Sequence, residues 1–328
     1  MESFKTFEES LYRVNDDSFE EIALKLFQFQ AKSNPVYAEY IRYLGIKPAA
    51  VSNLNDIPYL PVSFFKTHDI RTGNWKEQGV FTSSGTTGTV SSRHLVYNLD
   101  FYLSNAVRCF AFFYGDPSEY TTLALLPSYT ERQGSSLTAM IEHFIRRGDG
   151  GFYHNDRARL LELLRKPVKR KVILWGVTFA LLDLAEGHEL DLSNCIVFET
   201  GGMKGRRKEI TRAELHEFLG RRFHTGIHSE YGMTELMSQA YSTGNGIFGC
   251  PPWMKVLLRD PEDPREISSG RARGGINIID LANIYTCAFI ETQDLGKMGQ
   301  KEPGGAVTFE VLGRMDNSDI RGCNLLVE

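Results

Sequence analysis

The sequence predicts an α/β protein with a largely parallel sheet, followed by a smaller β-rich region of the same core. Two observations carry this. Between about residues 97 and 223, short apolar runs alternate with amphipathic stretches of helical length, the pattern of strands joined by helical crossovers. After Gly249 the texture changes to prolines (Pro251, Pro252, Pro261, Pro264), several glycines and short β-rich runs. The expected organisation is an α/β core over 1–249 with a helical N-terminal lead, and a β-rich subdomain over 250–328.

The elements follow in order. Phe19, Ile22, Ala23, Leu26, Phe27 and Gln30 fall at helical spacing, so Ser18–Leu44 reads as an amphipathic helical region that Pro35 restarts, with Tyr37, Tyr40, Ile41 and Leu44 as its second apolar face. Ile57–Val62 holds Pro58 and Pro61 and is extended. A helix is expected over Tyr97–Phe113, a strand over Thr121–Leu126, and helices over Ser136–Arg146 and Arg157–Leu164. Strands at Lys171–Trp175 and Cys195–Glu199 precede a helix over Arg207–Phe223 that turns Leu215, Phe218 and Leu219 inward. The later β runs are Met254–Leu258, Gly275–Asp280, Ala288–Glu291 and Ala306–Leu312.

Composition narrows the function classes. At 328 residues, with 42% apolar and 24% charged residues, the chain has the make-up of a soluble globular protein. A formal net charge of −4 gives no footing for nucleic acid or an acidic membrane as main partner. The start, MESFKTFEES, does not read as a signal peptide, and no stretch approaches the roughly 20 apolar residues of a membrane span. Cys109, Cys195, Cys250, Cys287 and Cys323 are odd in number and form no C-x-x-C pair, which argues against a disulfide framework or structural zinc and for the cytoplasm.

Four short motifs bear chemistry. The loop FTSSGTTGTVSS, Phe81–Ser92, crowds Thr82, Ser83, Ser84, Thr86 and Thr87 around Gly85 and Gly88. Glycine admits close backbone approach to an anion, and small hydroxyls add donors, so the loop suits phosphate; a solvated surface loop is the plain alternative. It lacks the Gly-Lys-Ser/Thr ending of a Walker A loop. EYGMTE, Glu230–Glu235, sets an aromatic, a glycine, a threonine and a carboxylate close together, fit for a base, a phosphate and Mg²⁺, or else for a turn leading to a helix capped by Thr234. ETQDLG, Glu291–Gly296, puts Asp294 after an apolar strand, where a carboxylate can accept both ribose hydroxyls or merely end the strand. GRMDNSDIRGCN, Gly313–Asn324, holds Arg314 where it can reach ribose or phosphate oxygens, or form a charged hairpin turn.

In this order the four motifs resemble those of the adenylate-forming superfamily, which includes acyl-CoA synthetases, peptide-synthetase adenylation domains and luciferases. The finer resemblance is to the acyl-protein synthetase branch, the LuxE-type fatty acid–protein ligases; TSSGTTG with its double serine, the short length and TGGMKGRRKEI at Thr200–Ile210 carry it. It extends from about Leu60 to the C-terminus. The resemblance implies the large N-terminal-domain architecture of these enzymes and an ATP-dependent ligase that turns a carboxylic acid, a fatty acid in this branch, into acyl-AMP before transfer to a thiol. It further implies ATP and Mg²⁺ as cofactors, and an acyl reductase, acyltransferase or carrier protein as partner.

Residue by residue, the resemblance implies that Thr82, Ser83, Ser84, Gly85, Thr86, Thr87 and Gly88 hold the β- and γ-phosphates. Tyr231 packs on adenine with the Gly201–Gly202 turn along the base, and Thr234 touches the α-phosphate. Glu235 binds Mg²⁺, and Asp294 with Arg314 holds the ribose. Two departures stand out. The family's loop usually ends in lysine, whereas here Thr89-Val90-Ser91-Ser92 leads to Arg93, as readily a surface residue as a phosphate ligand. The sequence given ends at Glu328, where superfamily members continue into a mobile domain bearing a catalytic lysine; the expectation is a core without that domain, or one completed by a partner.

Cys323, beside Arg321, is the expected acyl acceptor, because the branch acylates a cysteine near its C-terminus; a small buried residue starting a closing strand is the alternative. A ligase acting on CoA or a carrier protein, and a non-catalytic nucleotide-binding subunit, remain open readings. His143 sits on an expected helix as a core or surface residue, or towards the acyl site, and His224 and His228 form no metal pattern. The basic runs Arg165–Lys171 and Lys204–Lys208 are solvated charge or guides for phosphates or an acidic carrier. Trp175, Val177, Phe179 and Tyr129 are core or acyl-pocket walls.

Overall fold

A computed structural model of the chain describes residues 3–83, 90–128, 133–166, 170–201, 210–267, 271–301 and 307–315. In chain order the elements are α1 (Phe4–Leu11), α2 (Asp16–Ser33), α3 (Pro35–Tyr43), β1 (Leu60–Pro61), α4 (Phe64–Thr67), β2 (Gly79–Thr82), β3 (Arg93–Val96) and α5 (Leu99–Tyr114). Then come β4 (Tyr120–Leu125), α6 (Ser136–Arg147), β5 (Asp149–Phe152), α7 (Arg157–Arg165), β6 (Lys171–Val177), α8 (Thr178–Gly187), β7 (Cys195–Thr200) and α9 (Arg212–Phe223). The remainder are strands: β8 (Ile227–Tyr231), β9 (Ala240–Ser242), β10 (Ile247–Gly249), β11 (Met254–Arg259), β12 (Arg273–Asp280), β13 (Phe289–Lys301) and β14 (Val307–Arg314).

A single sheet in the order β11-β12-β13-β14-β10-β9-β8-β7-β6-β4-β5 forms the frame, with β1 added against β13. Its β5-β4-β6-β7-β8 end is parallel and its other pairings are antiparallel apart from β1–β13. Among the described residues the last helix ends at Phe223 and antiparallel pairing begins between β8 and β9, so both changes precede the shift of texture after Gly249. It is no break in the sheet, because β14 pairs with β10.

Local chemistry explains the helix ends. Asn15 and Ser18 make a reciprocal cap at the start of α2, and Pro35 opens α3 behind the Asn34 cap. The expected helix over Arg207–Phe223 starts at Arg212, since Thr211 and Glu214 form a capping box there; positions 207–209 lie outside the described residues. Helix α8 has no counterpart in the sequence reading. Its residues Ala180, Leu181, Leu182, Leu184 and Ala185 are buried around most of its girth, so it lacks the polar stripe that marks a surface helix.

Trp175 is core. Its ring stacks on Phe198 at 4.3 Å between centroids, with Phe110, Phe144 and Tyr241 around them, and none of the five is open to solvent. The helical lead has a second task. Gln30 on α2 donates to the carbonyls of Asn283 and Ile284 and accepts from the Ala288 amide, and Asn34 donates to the Thr286 carbonyl. These bonds pin the loop between β12 and β13 from outside.

Candidate functional site

Ligands of open α/β sheets gather at the carboxyl ends of the parallel strands. Here β7 ends at Thr200 and Gly201, and β8 runs out into Gly232, beside a cleft of about 660 Å³. The opposite wall comes from α5 and α6 (Tyr102, Ser136, Met140) with the Ser135 cap, and the far rim from β13 and β14 (Gln293, Asp294, Arg314). A hollow of about 640 Å³ on the outer side of α2 is lined by residues such as Leu24, Phe29 and Val51 and gathers no comparable cluster of carboxylates.

The segment after β8 is held rigidly. His94 Nδ1 donates to the Thr234 carbonyl at 2.7 Å, its Nε2 meets Thr286 Oγ1 at 3.0 Å, and burial pushes its pKa down to about 4, so the ring is neutral. Asn283 Nδ2 donates to the Glu235 carbonyl, and Asn105 Nδ2 to that of Met237. Asp280, fully buried, accepts from the amides of Met237, Ser238 and Ala282 and from the Ser238 hydroxyl at 2.7–3.1 Å. The chain after Thr234 enters no helix; it is a fixed loop whose backbone groups are satisfied by side chains.

This clamp presents Thr234 and Glu235 to the cleft. Burial raises the Glu235 pKa, opposed by a hydrogen bond from the Ser92 hydroxyl and by the more remote Lys66. Lys66, just before the end of α4, is exposed and also lines the cleft. Arg93 does not: it pairs with Asp69 on the surface at 3.1 Å.

Strands β2 and β3 pair with Thr82 opposite Arg93, and Ser83 and Ser92 bond across the base of the connecting loop. Thr82 and Ser83 line the cleft; Ser84, Gly85, Thr86, Thr87 and Gly88 lie outside the described residues. The Thr82 amide donates to the carbonyl of Gly134, whose φ of 77° only glycine adopts readily, and a Cβ there would lie 2.9 Å from Thr82 Oγ1.

At the far rim, Asp294 lies opposite Arg314 across β13 and β14. Tyr231 is buried between Phe248 and Phe309, and its hydroxyl donates to Asp294 Oδ2 at 2.7 Å. The ring that the resemblance sets on adenine is buried, and its hydroxyl meets the Asp294 carboxylate. The alternation of β8 is the reason: the side chain facing the cleft from α5 and α6 belongs to the residue before it, Glu230. Burial raises the Asp294 pKa, while Tyr231, Arg314, Arg212 and Arg259 hold it back. Arg314 is exposed and donates to Gln293 Oε1.

Gly201 lines the cleft with φ of 72°, and Thr178 donates to its carbonyl; Gly202 and Lys204 lie outside the described residues, as do Tyr129, Arg321 and Cys323. Burial pushes the thiols of Cys109 and Cys287 up to about 12 and that of Cys195 up to about 11, and raises that of Cys250 as well. His228 meets the Tyr114 hydroxyl, His224 meets Glu189, and His143 lies away from the cleft lining. Among the described residues no group of three or more His, Cys, Asp or Glu is arranged to hold a metal, and no helix is long and apolar enough to cross a membrane. Lys66, Ser92, Ser135, Glu230 and Gln239 were not singled out as site residues from sequence; they come from four separate stretches of chain, and of them Ser92 and Glu230 fall within a motif.

The frame is that of adenylate-forming ligases of known structure. A solved 2-hydroxyisobutyryl-CoA ligase in complex with 2-HIB-AMP and CoA superposes with a TM-score of 0.70 at 15% identity, covering 93% of this chain and 72% of that one. ATP-bound MatB from Rhodopseudomonas palustris gives a TM-score of 0.53 at 19% identity over 72% of this chain and 47% of its own. The particular likeness is to the long-chain-fatty-acid–luciferin-component ligase of Vibrio harveyi, 22% identical over 91% of this chain and 84% of that protein. No family model matches the sequence. The chain shares the fold of these ligases, and its sequence is similar to that of the Vibrio harveyi ligase.

Proposed function

We propose that this chain uses ATP to activate an aliphatic carboxylic acid as acyl-AMP and then passes the acyl group to a thiol. The observation that carries this reading is the convergence of Thr82, Ser83, Lys66, Thr234, Glu235 and Asp294 on one cleft at the ends of β7 and β8. The substrate carboxylate attacks the α-phosphorus in line with the leaving group. An O–P bond forms, the bond to the β-phosphate breaks, and pyrophosphate leaves with the electron pair. Such chemistry asks for positioning and charge neutralisation rather than for a protein nucleophile.

In this reading Thr82 and Ser83 begin the phosphate cradle that Ser84–Gly88 complete, Thr234 contacts the α-phosphate, and Lys66 supplies the positive charge that Arg93 does not. Asp294, fixed by Tyr231, takes the ribose with Arg314, and Gly201–Gly202 lie along the base. Glu235 suits Mg²⁺, being a buried carboxylate on the cleft whose burial is met by the Ser92 hydroxyl, a backbone amide and the charge of Lys66. When bound, Mg²⁺ would supply neutralisation of the phosphate oxygens.

The name of the Vibrio harveyi relative, a ligase of a long-chain fatty acid and a luciferin component, supports a fatty acid as substrate. Cys323 is the proposed first acceptor: its thiolate attacks the acyl carbon, AMP leaves, and the thiol proton passes to solvent. The raised pKa values of the four described thiols favour none of them in its place.

Carboxylate-dependent ATP–pyrophosphate exchange across short, long and aromatic acids tests the first step; no exchange with any acid refutes it for this chain. For the second, protein incubated with ATP, Mg²⁺ and acid gains one hydroxylamine-sensitive acyl mass. The same adduct on Cys323→Ala removes Cys323 from the mechanism.

A further inference from the structure

Thr200, Glu230 and Tyr241 stand in register across β7, β8 and β9, on the face turned towards α5 and α6. Thr200 Oγ1 donates to Glu230 Oε2 at 2.6 Å. A Cβ on Gly232 would fall 2.2 Å from Glu230 Oε1 and 3.4 Å from Gln239 Cγ, so the two side chains sit side by side at the cleft wall. Both line it, with Tyr102 and Met140 facing them. Gln239 is 4% exposed, and its Oε1 has no hydrogen-bond partner. Among the described residues no cation pairs with Glu230; burial raises its pKa to about 7, Thr200 opposes this, and Glu199 adds to it.

Two acceptors in one wall, one of them orphaned, are costly unless a ligand supplies donors. An unsubstituted alkyl chain offers none. Because β8 alternates, Glu230 points away from Tyr231 and Asp294, so the missing donor does not belong to the ribose. We infer that the acid activated here carries a hydroxyl or amino group on its chain, which donates to Glu230 and Gln239. This rests on the adenylation reading and adds the substrate class.

The test compares straight-chain alkanoates of four to ten carbons with their hydroxy and amino counterparts, in pyrophosphate exchange and, separately, in binding by saturation-transfer NMR. The wild type is expected to favour a donor-bearing acid over its alkyl match by on the order of 10–100-fold in kcat/KM. Glu230→Ala and Gln239→Leu should erase the ratio, and Glu230→Gln should keep part of it. Purine riboside triphosphate, which lacks the 6-amino group, should keep that ratio and lose no more activity in wild type than in Glu230→Ala.

A preference for the plain alkanoates, a ratio untouched by either substitution, or selectivity that tracks the 6-amino group of the base would overturn the inference. If either variant fails to fold, the wild-type ratio decides. Binding selectivity without exchange would sink the adenylation reading alone, and binding without selectivity would sink the inference alone.

Discussion

Replacing Tyr231 with phenylalanine removes one oxygen and leaves the ring. Two roles for this residue then predict opposite results. In the structure the hydroxyl donates to Asp294 Oδ2 at 2.7 Å, while the ring is wedged between Phe248 and Phe309. A hydrogen bond to a charged group contributes about 1.5–3 kcal/mol. If Asp294 holds the ribose, its loss should weaken ATP binding by about 10–150-fold. Tyr231 also holds the Asp294 pKa down against burial, so the variant's carboxyl should titrate at higher pH. ATP affinity by calorimetry, and kcat and KM for ATP in exchange between pH 6 and 9, read both effects. The KM rise should dominate, be worse at low pH, and leave kcat nearly unchanged. A ring that instead lay on adenine would make Tyr231→Phe neutral and Tyr231→Leu severe. That pair of results would refute the positioning argument.

Further predictions follow from the clamp and the cleft. Asp280→Ala strands four donors in the core and should destabilise the protein by roughly 3–5 kcal/mol, read by urea unfolding with an unchanged m-value. Gly134→Val forces a β-branched residue to φ of 77° against Thr82; a KM for ATP raised about tenfold, from roughly 1–3 kcal/mol of strain, is expected with the fold intact by circular dichroism. His94 has its folded pKa pushed from 6.5 down to about 4, so its contribution is present above pH 6.5 and is lost as pH falls towards 4; His94→Gln should flatten that limb of the Tm–pH curve. Glu230, raised from 4.5 to about 7, runs the other way: its contribution is complete below pH 4.5 and disappears as pH rises through 7, and Glu230→Gln should remove that decline.

Much of this protein was legible in the chain. Helices α5, α6, α7 and α9 and strands β4, β6 and β7 were, because the helices carry their own period and cap, as Asn98 does at α5 and Ser135 at α6, and the strands are short apolar runs. Thr82, Ser83, Thr234, Glu235 and Asp294 stood out in the sequence by residue type and close spacing, and the fold sets all five on one cleft. What the tertiary structure decided is how distant segments meet. α8 is apolar on nearly every side, so periodicity passes over it. Arg93 and Lys66 lie 27 positions apart, and only the packing of α4 shows which one faces the cleft. Tyr231 and Glu230 are neighbours in sequence, but the pleat of β8 sends one to support Asp294 and the other into the cleft. Spacing along a chain can specify which groups are present; the direction each one points is set by the sheet on which it stands.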